Sequence, residues 1–357
     1  MSESARPSEL TWIPFLREKQ DPDGPCLHGE GRSLDNASFA AAVRDLAHRF
    51  ESLGVSPGDT VAVMLPNCSE IVTSMFAAWF LGAAMTPVNP ALTDDEVRYQ
   101  LQDSTSSVIV GDERAAALAE SIGIVWVDRR SVHEPADVPV LDRAPVSEPS
   151  DFALIIYTSG TTGKPKGVLL DHANLEAMST SLIQHFALTE VDTSLLVLPL
   201  FHVNGLVASV LSVLRAGGNV VIAPRFSPDT FWDVVEAHRP TYFSAVPTIY
   251  AILEARTERP VDTSSLRFVI CGAAPMPADL IARFEDRFNV SIVEGYGLSE
   301  GSVASTINPV AGPRKPGTVG IALPGQEIAV VSSEGEPQPT GQRGEVVIRG
   351  ANVMRGY

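Results

Sequence analysis

The apolar positions of this chain change period along its length. Phe39, Val43, Leu46 and Phe50 recur at three- and four-residue steps behind the capping group Ser33-Leu34-Asp35-Asn36, which predicts a helix to about Leu53, ended by Gly54. Residues 60–65 form a short unbroken apolar run, the pattern of a buried strand. Ser69-Glu70 opens a helix through Met75, Phe76 and Phe80 that stops near Gly82, and 85–89 gives the next strand. A helix start at Asp94-Asp95-Glu96, a strand over 107–110, a helix over 113–121 and a strand over 124–127 continue the series. Strands and helices taking turns imply parallel sheets with helices on their faces, an α/β fold.

Between 128 and 151 the periodicity is lost and Pro, Asp, Glu and Ser accumulate, the composition of a surface connection between two subdomains. Alternation then resumes. Strands are predicted over 152–156, 194–198, 219–222, 241–245, 266–270 and 291–294, and helices over 174–186, 206–214, 226–238, 248–255 and 278–288. From Gly312 onward Gly, Pro and short alternating strands at 327–331 and 345–349 suggest a small β unit. The expected organisation is a first α/β subdomain with its linker over 1–150, a second over 151–311 and a small β subdomain over 312–357.

A length of 357 residues favours two or more packed subdomains over one core, and 45% apolar with 19% charged residues is ordinary for a soluble globular enzyme. The net charge of −17 repels nucleic-acid phosphates and anionic lipids, so neither is an expected partner and any site for a phosphate must be positive only locally. Three cysteines, Cys26, Cys68 and Cys271, stand far apart with no C-x-x-C pattern, which suggests neither a zinc site nor a disulfide framework. The first residues lack the basic-then-apolar pattern of a secretory signal, and the apolar stretch 71–88 contains Gly82 and Pro87, reading as helix then strand rather than a membrane span. The expectation is a cytoplasmic protein; its oligomeric state is open.

The local positive site stands directly behind the strand at 152–156. In Thr158-Ser159-Gly160-Thr161-Thr162-Gly163-Lys164-Pro165-Lys166-Gly167, glycines let consecutive N–H groups turn toward one anion, hydroxyls add donors and two lysines add charge. This is a phosphate cradle. It is not a Walker loop, because Pro165 follows Lys164 where a magnesium-binding Ser or Thr would be required. Two more Gly-rich segments and one histidine segment follow in order, and three of the four motifs follow predicted strands, where open α/β sheets place ligand loops. They are Pro199-Leu200-Phe201-His202-Val203-Asn204-Gly205, Cys271-Gly272-Ala273-Ala274-Pro275 and Glu294-Gly295-Tyr296-Gly297-Leu298-Ser299-Glu300. Taken singly, His202 reads as a half-buried histidine satisfied by backbone, 272–275 as a small-residue turn and Tyr296 as a core aromatic.

Together, the four segments resemble the adenylate-forming superfamily of acyl- and aryl-CoA synthetases, luciferases and peptide-synthetase adenylation domains, over roughly residues 30 to 357. The resemblance implies an α/β large domain of stacked, mostly parallel sheets flanked by helices, with a small C-terminal β-barrel-like unit. In the family a ribose-binding aspartate, a hinge and a lid domain with a catalytic lysine would come next; none is present within these residues, so a truncated large domain is expected.

The resemblance assigns Thr158, Ser159, Gly160, Thr161, Thr162, Gly163, Lys164 and Lys166 to the phosphates of ATP, and Gly272, Ala273, Ala274, Glu294, Gly295 and Tyr296 to the adenine. It assigns Ser299, where the family more often has Thr, to the α-phosphate, and Glu300 to Mg²⁺. His202 gates the acyl pocket, formed with Val203, Asn204, Gly205, Val246, Gly272, Gly297 and Val303. Lys166, His202, Ser299 and Glu300 are the expected catalytic set. The implied reaction joins a carboxylic acid to AMP, releases pyrophosphate and passes the acyl group to CoA. No Asp or Glu occurs over 199–214 to hold a substrate ammonium, which argues for a largely apolar acid rather than an amino acid. Two alternatives remain at this level: delivery to a carrier protein instead of CoA, and a non-catalytic nucleotide-binding module.

Overall fold

A computed structural model describes residues 8–29, 31–135, 143–158 and 163–357. Two sheets organise them. The smaller has six strands in the order Val125–Asp128, Ser106–Gly111, Thr60–Met64, Ala84–Pro87, Phe152–Thr158 and Lys166–Asp171, all parallel except the last pair. The larger has nine, in the order Ile321–Ala322, Thr306–Ile307, Ile292–Tyr296, Val269–Cys271, Tyr242–Ala245, Thr193–Leu196, Asn219–Ile222, Pro25–Gly29 and Arg32–Asp35. Its six strands from Ile292–Tyr296 to Pro25–Gly29 run parallel, and the strands beyond them at either end are antiparallel.

The expected division at 150/151 is corrected by this pairing. Phe152–Thr158 lies beside Ala84–Pro87, with Met85 opposite Leu154, and so extends the sheet built by earlier residues. Pro25–Gly29, besides its hairpin partner Arg32–Asp35, pairs with Asn219–Ile222 and so places an early segment in the larger sheet. Apolar periodicity reports that a strand is buried; its partner is fixed by long-range packing that no local window contains. The connection after 128 is also less of a surface loop than its composition suggests, since Val132 and Ser147 are fully buried.

The helices follow the pattern more closely. Asn36–Ser52 starts at Asp35, whose carboxylate accepts the Ser38 N–H at 2.7 Å, and buries Phe39, Val43, Leu46 and Phe50. Ser69–Phe80 buries every residue except Glu70 and packs against Asn36–Ser52 and strands of both sheets, which is why its apolar face closes into a ring. Its Trp79 indole donates to the Ala153 carbonyl at 2.8 Å. Two helices depart from expectation. Residues 226–238 become helical only at Phe231–His238, and 206–214 is replaced by a wide-turn π-helical run, Asn204–Leu211, followed by Ser212–Arg215. The expected barrel-like C-terminal unit is a two-stranded antiparallel ribbon of Gln326–Val331 and Glu345–Gly350, because two strands leave no way to close a barrel.

At the junction of the sheets, His172 begins the helix His172–Phe186 with no exposed surface, its ring 5.0 Å from Trp79 and neither nitrogen hydrogen-bonded among the described residues. Burial pushes its pKa down to about 3. An unfolded histidine takes up a proton near 6.5, so as pH falls from about 6.5 toward 3 the unfolded chain binds a proton that the folded chain refuses, and stability declines. His172→Phe is expected to remove up to about 1.4 kcal/mol per pH unit from that decline, read as the difference between the two proteins' urea midpoints at pH 7.5 and 5.0. Parallel pH curves for wild type and variant would contradict this account.

Candidate functional site

The carboxyl ends of Thr193–Leu196, Tyr242–Ala245, Val269–Cys271 and Ile292–Tyr296 open onto a cavity of about 280 Å³. Of the residues expected in the acid pocket, His202, Val203, Asn204, Val246, Gly272, Gly297 and Val303 line it. Gly205 does not: it sits behind the wall, where a Cβ would lie 2.9 Å from the Pro199 carbonyl oxygen. Ala273, Gly295, Tyr296 and Ser299 line the same cavity, so the residues expected at the purine and those expected at the acid share one continuous volume.

The purine side has the form of a shelf. A Cβ on Gly272 would meet nothing closer than the Gly295 carbonyl oxygen at 3.7 Å, which leaves open space above flat backbone, and Tyr296 presents a 38% exposed ring beside it. A planar base fits such a surface. Ala274 is exposed and outside the cavity. Glu294 turns the other way. The residue is buried, its carboxylate accepts the Gly317 backbone N–H at 3.3 Å, and burial pushes it above the usual carboxylate range. It therefore braces the shelf from behind by tying the strand that carries Gly295 to the turn at Gly317.

The opposite rim is held in strained backbone. Ser302 at φ 64° and Val303 at φ 137° occupy the region that favours glycine, as does Ala273 at φ 69°. Val303 is β-branched and persists there because its neighbours are tied on several sides. The Ser302 hydroxyl donates to the Asn352 carbonyl at 2.6 Å, and the Asn352 amide donates to the Gly301 carbonyl at 2.9 Å and to Gln326 Oε1 at 3.1 Å. Gly297 is obligatory opposite, since a Cβ would fall 2.0 Å from the Val303 oxygen.

Lys166 and Glu300 are brought together through a residue the sequence did not single out. The Tyr357 hydroxyl donates to Glu300 Oε1 at 2.8 Å, and Lys166 Nζ lies 5.0 Å from the centre of the Tyr357 ring. The hydrogen bond to Glu300 pushes the phenol's pKa up. Tyr357 arrives there because 351–356 is fastened to the start of the helix His172–Phe186. Asp171 caps that helix and accepts from Arg355 Nε, while Asn174 Nδ2 donates to the carbonyls of Ala351 at 2.8 Å and Val353 at 2.9 Å. Nothing local in the sequence links 171–174 to 351–357.

Of the phosphate loop, Ser159, Gly160, Thr161 and Thr162 lie outside the described residues. Thr158 and Lys166 face each other across the hairpin that carries it, and Gly163 adopts φ 97°. Lys164 reaches toward Tyr99, with Nζ 5.4 Å from that ring. His202 stands at the cavity with its ring 4.6 Å from Phe201, and burial lowers its pKa, so the ring is neutral near pH 7 and able to donate from one nitrogen and accept at the other. Sequence reasoning missed Leu182, Phe186 and Ala208, which also line the cavity. Helical spacing marks their faces as buried without showing that they close a cavity rather than a core.

Among the described residues no cluster of three or more His, Cys, Asp or Glu could hold a metal unaided. Glu300 alone fits a hard cation that completes its shell with phosphate oxygens. No described helix is long and apolar enough to cross a membrane.

Parallel strand ends, glycine shelf and lysine-bearing hairpin define the large domain of an adenylate-forming enzyme. The chain belongs to the AMP-binding enzyme family, whose model matches residues 16–357. It is 36% identical to an oxalate–CoA ligase of Arabidopsis thaliana over 361 aligned positions, covering 95% of this chain and 70% of that protein. It is 34% identical to a feruloyl-CoA synthase of an Amycolatopsis species, over 96% of this chain and 70% of that one. Among solved structures it resembles ATP-bound MatB from Rhodopseudomonas palustris, with TM-score 0.88 and 29% identity over 99% of this chain and 72% of MatB.

Proposed function

We propose that this chain carries out the ATP-dependent activation of a largely apolar monocarboxylic acid, forming an acyl-adenylate that is passed to CoA as a thioester. The observation that carries the reading is the single cavity shared by the purine shelf and the His202-Val203-Asn204 wall. Joining an acid to AMP requires the carboxylate and the α-phosphate to meet inside one enclosure, and proximity of that kind supplies a large part of the rate.

In the first step a carboxylate oxygen bonds to the α-phosphorus of ATP and the bond to pyrophosphate breaks. Lys166, the Ser299 hydroxyl and the amides of the phosphate hairpin meet the charge that develops on the phosphate oxygens. The neutral His202 donates to the acid carboxylate and orients it. Glu300 would hold Mg²⁺, which when bound supplies positive charge to the phosphates. In the second step the CoA sulfur bonds to the acyl carbon and AMP departs. The apolar walls keep water from the adenylate in between.

The acid follows from what the wall lacks. Among the described residues, none that lines the cavity is Lys, Arg, Asp or Glu. A second carboxylate would be desolvated without a partner, at a cost of several kcal/mol, and so would an ammonium group. The chain's resemblance to a relative named for oxalate therefore does not extend to its substrate. Brought to this chain, an aromatic acid such as the one for which the feruloyl-CoA synthase is named suits the cavity better.

The test is acid-dependent exchange of labelled pyrophosphate into ATP by the protein as the cell makes it, with CoA and a carrier protein then offered separately. Exchange is expected with apolar monocarboxylic acids and at least tenfold less with oxalate or malonate, and thioester should accumulate with CoA. Absence of any acid-dependent exchange would reduce the chain to a nucleotide-binding module.

A further inference from the structure

His202 reaches the cavity from a segment that lies past the end of its sheet ladder. The ladder between Thr193–Leu196 and Asn219–Ile222 closes where the Ala223 N–H donates to the Leu196 carbonyl at 3.0 Å. Beyond it the chain runs through Leu198, Pro199 and Leu200 to His202, whose own N–H returns to the Pro199 carbonyl at 3.1 Å. The ring brings no anchor of its own. Burial alone lowers its pKa, with no hydrogen-bonding or charged group of the described residues contributing. The aim of His202 is therefore set by the backbone of 198–200.

The hydrogen bonds that tie that backbone to the rest of the molecule come, among the described residues, from one side chain. Asn67 Nδ2 donates to the Leu198 carbonyl at 3.0 Å and to the Ala223 carbonyl at 3.2 Å, and Asn67 Oδ1 accepts the Leu200 N–H at 2.8 Å. Asn67 is 9% exposed, so water is a poor substitute for any of the three, and removing the amide would strand buried backbone groups. It belongs to the other sheet. Asn67 stands three residues after the strand Thr60–Met64 of the six-stranded sheet, whose edge strand begins with Lys166. One amide thus joins the sheet that bears the phosphate lysine to the segment that bears the acid-side histidine.

We propose that Asn67 is a positioning residue for acid activation, fixing where His202 stands relative to Lys166 and so where the substrate carboxylate meets the α-phosphate. This rests on the acid-activation reading and adds to it a residue outside the cavity lining. Reaction between two bound groups is steep in their separation, and a displacement of about 1 Å can cost roughly a hundredfold. A reacting group keeps its place only if the residues around it hold it there. The purine shelf at Gly272 and Tyr296 belongs to strands that Asn67 does not bond, so loosening 198–200 impairs capture of the acid and spares the nucleotide.

The experiment is a double-variant cycle on the protein as the cell makes it, read by pyrophosphate exchange with whichever of cinnamate, benzoate, hexanoate and octanoate exchanges fastest. Asn67→Ala is expected to lower kcat/KM for the acid roughly tenfold or more per folded molecule, with KM for ATP within about twofold of wild type. In a His202→Ala background the same change should cost less than about twofold, because the group it positions is already gone. Asn67→Ser takes its place if the alanine variant does not fold. Where exchange is too slow to measure, calorimetric affinities for ATP and for cinnamoyl-sulfamoyl-adenosine complete the same cycle. Losses that multiply independently, an ATP term that weakens as far as the acid's, or no loss at all would each overturn the proposal and leave acid activation standing. If the wild-type protein exchanges none of the four acids and binds no mimic, the acid-activation reading fails and this inference with it.

Discussion

Glu300→Gln is expected to lower acid-dependent pyrophosphate exchange by roughly a hundredfold or more at limiting Mg²⁺, with little change in the urea midpoint. The residue sits in the short turn Ser299–Gly301, whose backbone is fixed independently of the side chain: the Glu300 carbonyl accepts the Met354 N–H at 2.8 Å. Among the described residues its carboxylate has one hydrogen-bond partner, the Tyr357 hydroxyl. Glutamine keeps the side chain's length and an oxygen that can accept that bond. What it loses is the negative charge, which matters only to a cation and the phosphates around it. A structural role would show the reverse pattern, with stability falling and exchange per folded molecule preserved. Raising Mg²⁺ should recover part of the rate in the variant, and an exchange rate equal to wild type at low Mg²⁺ would remove Glu300 from the cation site.

The legible parts of this protein are those whose signal is local. Strands buried on both faces appear as unbroken apolar runs, so the βα alternation and the loops at strand ends could be placed from residues 60–65, 194–198 or 219–222 alone. Strand partners could not, since the return of Phe152–Thr158 to Ala84–Pro87 is decided by packing between segments far apart in sequence. Glu294 shows the same limit within one motif. It stands next to Gly295, and neighbouring strand residues face opposite sides of a sheet, so a motif treated as a block hides that one member lines the cavity while the other braces it. Tyr357 and Phe186 join the site through the docking of 351–357 and of the helix His172–Phe186, events that leave no periodic trace. The π-helical start at Asn204 was likewise invisible, because apolar spacing over 206–214 suits an ordinary helix equally well.

The frame that carries the cavity should fail most sharply at its other end. Asp192 precedes the strand Thr193–Leu196, and its side chain is wholly buried. The carboxylate accepts the Thr189 N–H at 2.8 Å, the Thr241 hydroxyl at 2.7 Å and Arg267 Nη1 at 2.5 Å, so one anion ties together the lead-ins to three parallel strands. Arg267 in turn donates from Nη2 to the Phe186 carbonyl at 3.0 Å, fixing the end of the helix whose Leu182 and Phe186 line the cavity. Asp192→Ala removes every acceptor at once and leaves a guanidinium, 37% exposed, without its counter-charge. The expected loss is about 3 kcal/mol, at the lower end for breaking a buried pair because Arg267 keeps part of its surface in water. Denaturant unfolding of Asp192→Ala, Arg267→Met and the double variant measures it. The double variant should be clearly less destabilised than the sum of the single losses, since neither leaves the other charge stranded once both are gone. A loss below about 1 kcal/mol for Asp192→Ala would mean that strand packing alone fixes this end of the sheet, with the carboxylate contributing nothing beyond hydration exchange.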